Sequence, residues 1–138
     1  MFSNHKSTNR FLALLIFVAS LVLYMMTMAP TASFWDAGEF IAVGHGLQVN
    51  HPPGAPFYSL LGRIFSMFMP AAWVAVSINF ISALSSALTI TLLYLIIVRL
   101  VREWKGAPDS MVTIDKIGMY GGAILGACTF AVTDTFWF

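Results

Sequence analysis

SFWDAGEFIAVGHGLQVNHPPGAP, residues 33–56, decides how the rest of the chain is read. It gathers Asp36, Glu39, His45 and His51 in a chain that is otherwise 59% hydrophobic and only 9% charged. A soluble domain carries roughly 25% charged residues. The surroundings therefore belong in a bilayer, and this stretch is the polar interruption between two membrane-spanning runs. Its tail, Pro52-Pro53-Gly54-Ala55-Pro56, is stiff because each proline fixes its own φ and restricts the residue before it.

Toward the N-terminus, Phe11 to Met28 is apolar, with Ser20 and Thr27 as interruptions. That length is near the lower limit of about 17–25 residues for a spanning helix. The competing reading is a cleaved signal peptide, whose apolar region is shorter, about 7–15 residues. Its best cleavage site, Ala29, is followed by Pro30, so an uncleaved first span near 11–28 is the better reading. Pro30 ends that helix, and an outward loop covers 29–70.

Within the loop, residues 36–49 predict a short interfacial helix, with Phe40, Val43 and Leu47 on one face. Residues 57–69 predict a second interfacial or re-entrant helix, too short to span, with a polar stripe of Ser59, Arg63 and Ser66. A second span over 71–101 carries a polar line of Asn79, Ser82, Ser86 and Thr89, which in lipid faces another helix or a cavity. Residues 102–117 form a polar connection with a turn signal at Gly106-Ala107-Pro108-Asp109. A third span is expected over 118–138, with Gly118, Gly122 and Gly126 as a close-packing groove. The odd span count and the apolar end at Phe136-Trp137-Phe138 suggest a piece of a longer protein.

Charge sets the topology. Lys6 and Arg10 precede the first span, and Arg99, Arg102, Lys105 and Lys116 flank the 102–117 connection. The excess of Lys and Arg marks cytoplasmic segments, so loop 29–70 faces outward. A net charge of +1 with no basic cluster excludes a nucleic-acid footprint. The lone Cys128 lies in an apolar run and cannot form an internal disulfide.

Asp36 and Glu39, three residues apart, share one helical face. Asp-x-x-Glu at a helix start also reads as a cap, with Asp36 accepting from first-turn N–H groups. A carboxylate fixed at a membrane surface also suits a general base. His45 and His51 add ligand types suited to zinc or manganese, but the spacing matches no compact metal motif, so metal dependence stays open. His45 between two glycines reads as surface-exposed. His51 before two prolines has a fixed backbone. Arg63 either snorkels or grips an anionic head group. Asn79 is interhelical glue or a cavity lining, and Asp134 is costly in lipid.

Trp35-Asp36-Ala37-Gly38-Glu39-Phe40 followed by His51-Pro52-Pro53-Gly54-Ala55-Pro56 resembles the N-terminal part of multi-pass GT-C glycosyltransferases of the protein O-mannosyltransferase-like kind. The Leu61-Gly62-Arg63 segment, the Asn-bearing second span and Asp134-Thr135-Phe136-Trp137-Phe138 extend the resemblance over most of the chain. It implies an all-α integral membrane fold, GT-C-like. The implied function is transfer of a sugar, mannose among the candidates, from a polyprenyl-phosphate donor to a protein hydroxyl outside the cytoplasm. The partners implied are the lipid-linked donor, an acceptor protein and the bilayer, in a bacterial inner membrane. Carried over by position, Asp36 is the base and Glu39 a second, acceptor-orienting acid, while His51 and Arg63, with Asn79, lie on the donor side. This piece alone is expected to be inactive. The rivals are a transporter half using Asp36, Asn79 and Asp134 as a polar path, and an assembly subunit that tolerates Asp36→Asn.

Overall fold

The computed structural model describes residues 5–33, 35–52, 54–108 and 110–137, without the side chains of Thr135 and Trp137. Phe34 and Pro53 of the quoted motifs, Asp109 of the turn and Phe138 at the end of the third expected span lie outside the described residues. Every regular element described is helical. In chain order these are α1 (His5–Thr27), α2 (Ala37–Gly46), α3 (Pro56–Ser66), a 3₁₀ turn (Ala71–Trp73), α4 (Val74–Lys105), α5 (Thr113–Ala131) and the four-residue α6 (Asp134–Trp137).

Among the described residues, two helices are long and apolar enough to cross a membrane: α1, and α4 with the 3₁₀ turn before it. At 1.5 Å per residue they measure about 34 and 52 Å, against a hydrocarbon core of about 30 Å. In α1 the buried positions Ala13, Ile16, Ser20 and Tyr24 follow helical spacing, while Phe11, Leu14, Leu15, Val18 and Val22 stand exposed. Exposed apolar area of that extent is tolerated in lipid and not in water. On α4, Leu88, Leu92, Ile96 and Leu100 form a similar exposed row.

The third expected span takes a different form. α5 starts at Thr113, places Asp115 and Lys116 in its first turns, and ends at Ala131. The chain bends there, with Thr133 Oγ1 donating to the Phe130 carbonyl, and α6 follows. The two charged residues shorten the apolar part of α5, and it is not one of the two spanning helices.

The chain divides into two compact units. Tyr24–Ser85 holds α2, α3 and the first half of α4. Met1–Leu23 with Ser86–Phe138 holds most of α1, the second half of α4, α5 and α6. In the latter unit α5 buries Met119, Tyr120, Ala123, Ala127 and Ala131, and α4 buries Ala87, Ile90, Tyr94 and Val98. The expected glycine groove is therefore largely an alanine seam. Gly118 and Gly122 meet nothing within 4 Å of an added Cβ, and only Gly126 approaches α4, through Ile97 Cδ1 at 3.2 Å. Polar ties finish this unit. His5 Nδ1 and the Tyr120 hydroxyl lie 2.6 Å apart, Tyr94 donates to Asn9, and Lys105 pairs with Asp115 at 3.0 Å.

Candidate active site in the α2–α3 hairpin

The unit Tyr24–Ser85 brings the polar loop together. α2 and α3 cross where two glycines meet. A Cβ on Gly62 would lie 3.0 Å from Gly44 Cα, and one on Gly44 would lie 3.3 Å from Gly62 Cα. No side chain separates the two backbones there, so the small residue is required on both helices of the crossing. The stripe Ser59, Gly62 and Ser66 is buried. Ser66 donates to the Gly62 carbonyl at 2.6 Å, and His45 Nδ1 lies 3.1 Å from Ser66 Oγ. The hydroxyl has one hydrogen, already committed, so His45 Nδ1 carries the proton and donates. His45 is thus half-buried and part of the hairpin, which corrects the surface-exposed expectation. Its position between Gly44 and Gly46 lets the backbones close enough for the ring to reach α3.

Arg63 Nη1 donates to the His45 carbonyl at 2.6 Å, satisfying a C-terminal carbonyl of α2. Four of its five N–H donors remain. Leu47, expected on the buried face of α2, instead ends the helix in the left-handed region at φ 50° and is exposed. Asn79 donates from Nδ2 to the carbonyls of Ala29 and Thr31, at 2.8 and 3.1 Å. It therefore ties the non-helical segment after α1 to α4, and its bond is to a loop instead of a second helix. Tyr58 and Ser82 share a hydrogen bond.

Asp36 begins α2 but makes no side-chain capping bond. An N-cap reaches the first-turn N–H groups from extended backbone. Asp36 stands at φ −80°, ψ 5°, in the bridge region, so the capping expectation fails. Trp35 before it holds φ 59° and is 97% exposed. A bulky residue in that region is strained, and such strain collects at functional sites.

Glu39 does something the sequence did not announce. Its Oε1 accepts from the His51 backbone N–H at 2.8 Å, and its Oε2 lies 2.9 Å from His51 Nδ1. One carboxylate thereby grips both the backbone and the ring of a residue twelve positions away. Asn50 accepts from Ala55 N–H, and Gly54 N–H donates to the His51 carbonyl, closing the turn at φ 74° where only glycine is unstrained. The edge of Phe40 packs against the His51 ring. The N–H bonds from His51 hold the Glu39 carboxyl below its ordinary value. The Glu39 hydrogen bond, then the charges of Glu39 and Asp36, raise the His51 imidazole above its own.

His51 Nε2 lies 4.0 Å from Asp36 Oδ2. Among the described residues, Asp36, Glu39 and His51 each bring a ligand-type atom within 4.8 Å of the others, a grouping that could hold a divalent cation and does not include His45. Arg63 and Asn79 make their bonds elsewhere in the unit, and no contact joins them to this triad among the described residues. Behind the hairpin, Met25, Met28, Phe65, Met69, Trp73 and Phe80 line an apolar cleft of about 340 Å³.

A family model described as the protein O-mannosyl-transferase TMEM260 N-terminal domain matches residues 36–138. The chain is similar to a Dictyostelium discoideum protein named protein O-mannosyl-transferase tmem260, at 39% identity over 83 residues, or 59% of this chain and 10% of that protein. It is also similar to the Mus musculus protein O-mannosyl-transferase TMEM260, at 27% identity over 122 residues, or 88% of this chain and 15% of that protein. The chain thus spans a small part of the length of the curated relatives it matches. Both are eukaryotic, which gives the bacterial membrane no support. No solved structure matches.

Proposed function

The chain belongs to the TMEM260 N-terminal domain family of protein O-mannosyl-transferases, and from that premise we propose that it supplies the catalytic loop of a GT-C glycosyltransferase. The enzyme moves mannose or a similar sugar from a polyprenyl-phosphate donor to a protein hydroxyl on the non-cytoplasmic side of the membrane. In the whole protein α5 completes a third crossing. The single observation that carries this reading is that the family match includes Asp36, whose carboxylate stands beside His51 in a polar hairpin.

Asp36 acts as general base. It takes the acceptor proton while the oxygen attacks the anomeric carbon, and the lipid phosphate departs with the bonding electrons. The apolar cleft of the same unit suits a lipid-borne donor, and the free N–H groups of Arg63 suit its phosphate. Asn79 serves the donor side by fixing the segment between α1 and α2.

The test uses the full-length enzyme with polyprenyl-phosphate mannose and a serine or threonine peptide. Asp36→Asn makes no capping bond to lose, so folded yield stays near wild type. Transfer per folded molecule falls by roughly 10²–10⁴-fold, the usual worth of a general base. Near-normal turnover in this variant would return the loop to a structural role.

A further inference from the structure

The sequence reading puts His51 beside the leaving phosphate and Glu39 on the acceptor. The charges around His51 argue otherwise. Among the described residues the titratable groups facing its ring are Glu39 on α2 and Asp36 at the start of α2, and α3 contributes none. Two carboxylates and one imidazolium leave the cluster net negative, which repels a phosphate. A neutral, polar ligand suits it better.

The ring is also aimed. Glu39 occupies Nδ1 at 2.9 Å and anchors the backbone N–H at 2.8 Å, so Nε2 is the nitrogen left for a ligand. Nε2 and Asp36 Oδ2 are 4.0 Å apart, too far to bond each other. Two atoms so spaced can both reach one intervening oxygen at about 2.8 Å. We propose that this notch receives the acceptor hydroxyl, of the serine or threonine class, with His51 as its binding residue and Glu39 as the positioning residue that aims His51.

The step balances without a further reactant. His51 Nε2–H donates to the hydroxyl oxygen and keeps its proton throughout. The O–H bond breaks toward Asp36 Oδ2, the oxygen forms its bond to the anomeric carbon, and the bond from that carbon to the phosphate oxygen breaks with its electrons kept by the lipid phosphate. A cationic donor aimed at the oxygen stabilises the negative charge that gathers there. This inference rests on Asp36 being the base of a glycosyl transfer.

The experiment measures kcat and separate donor and acceptor KM values for the full-length wild type, His51→Ala, His51→Gln and Glu39→Gln, per folded molecule. Loss of a charged hydrogen bond should raise acceptor KM roughly 10–100-fold in His51→Ala, with donor KM unchanged. His51→Gln keeps an N–H donor and should recover part of that loss. Glu39→Gln frees the ring from its aim and should raise acceptor KM in the same direction. A merely structural Glu39 would change folded yield and leave acceptor KM per folded molecule where it was. An active wild type with acceptor KM unmoved in His51→Ala, or with donor KM rising instead, overturns the inference alone. A wild type that transfers no sugar overturns both readings.

Discussion

Gly44 and Gly62 press backbone against backbone, whereas Gly118 and Gly122 face open space on α5. In the sequence the second pair looked the more purposeful, because it repeats every fourth residue. The isolated pair carries the packing. The difference teaches that a small residue matters where a partner helix arrives, and the partner's arrival is not written in the glycine spacing. In the α4–α5 unit that role passes to Ala123 and Ala127, which are fully buried.

The sharpest way to break this comparison is to add one methyl group to each side of it. Gly62→Ala gains helix propensity but drives a Cβ to 3.0 Å from the Gly44 backbone, which cannot turn aside as a side chain can. Overpacking of this kind costs about 1–3 kcal/mol, outweighing a propensity gain of about 1 kcal/mol. Thermal unfolding in detergent should therefore show a lower midpoint. Gly122→Ala meets nothing and should raise the midpoint slightly, by up to about 1 kcal/mol of helix stability. Equal shifts of the same sign would show that the crossing yields.

The smallest effect sharpens the hairpin side of the contrast. The lowered Glu39 carboxyl contributes stability above its ordinary range, and that contribution disappears as pH falls through its folded value. The raised His51 imidazole contributes below its ordinary range, and that contribution disappears as pH rises through its folded value. Both operate together in mildly acidic solution. Hydrogen exchange of the His51 amide should be slowest there and quicken on either side. Flat protection across that range would mean that the clip is not formed.

Much of the frame was legible because membrane helices announce themselves by length and apolarity. The spans expected at 11–28 and 71–101 are found as His5–Thr27 and, with the 3₁₀ turn, Ala71–Lys105. The short helices expected at 36–49 and 57–69 are found as Ala37–Gly46 and Pro56–Ser66, and α2 stops early because Leu47 turns into the left-handed region. The site was legible in composition but not in pairing. Asp-x-x-Glu reads as a cap because spacing is local, while Glu39 spends its carboxylate on His51 across a loop. His45 shows the same limit. Nothing between Gly44 and Gly46 signals that Ser66 waits on the next helix. The end of the third expected span failed for a different reason. Apolar composition continues past Ala131, but the backbone turns at Val132–Thr133, where the Thr133 hydroxyl takes the Phe130 carbonyl.

The crossing of Gly44 over Gly62 has a mechanical consequence. Where two helices touch through their main chains, no rotamer stands between them to absorb a displacement. A displacement of α3 at that point bears directly on the α2 backbone, which carries the His45 carbonyl held by Arg63 of α3 and, further along α2, the Glu39 carboxylate. The carboxylates of Asp36 and Glu39 stand at the N-terminal end of α2, about one to two turns from that contact, so the glycine crossing fixes where the α2 end of the triad lies against α3.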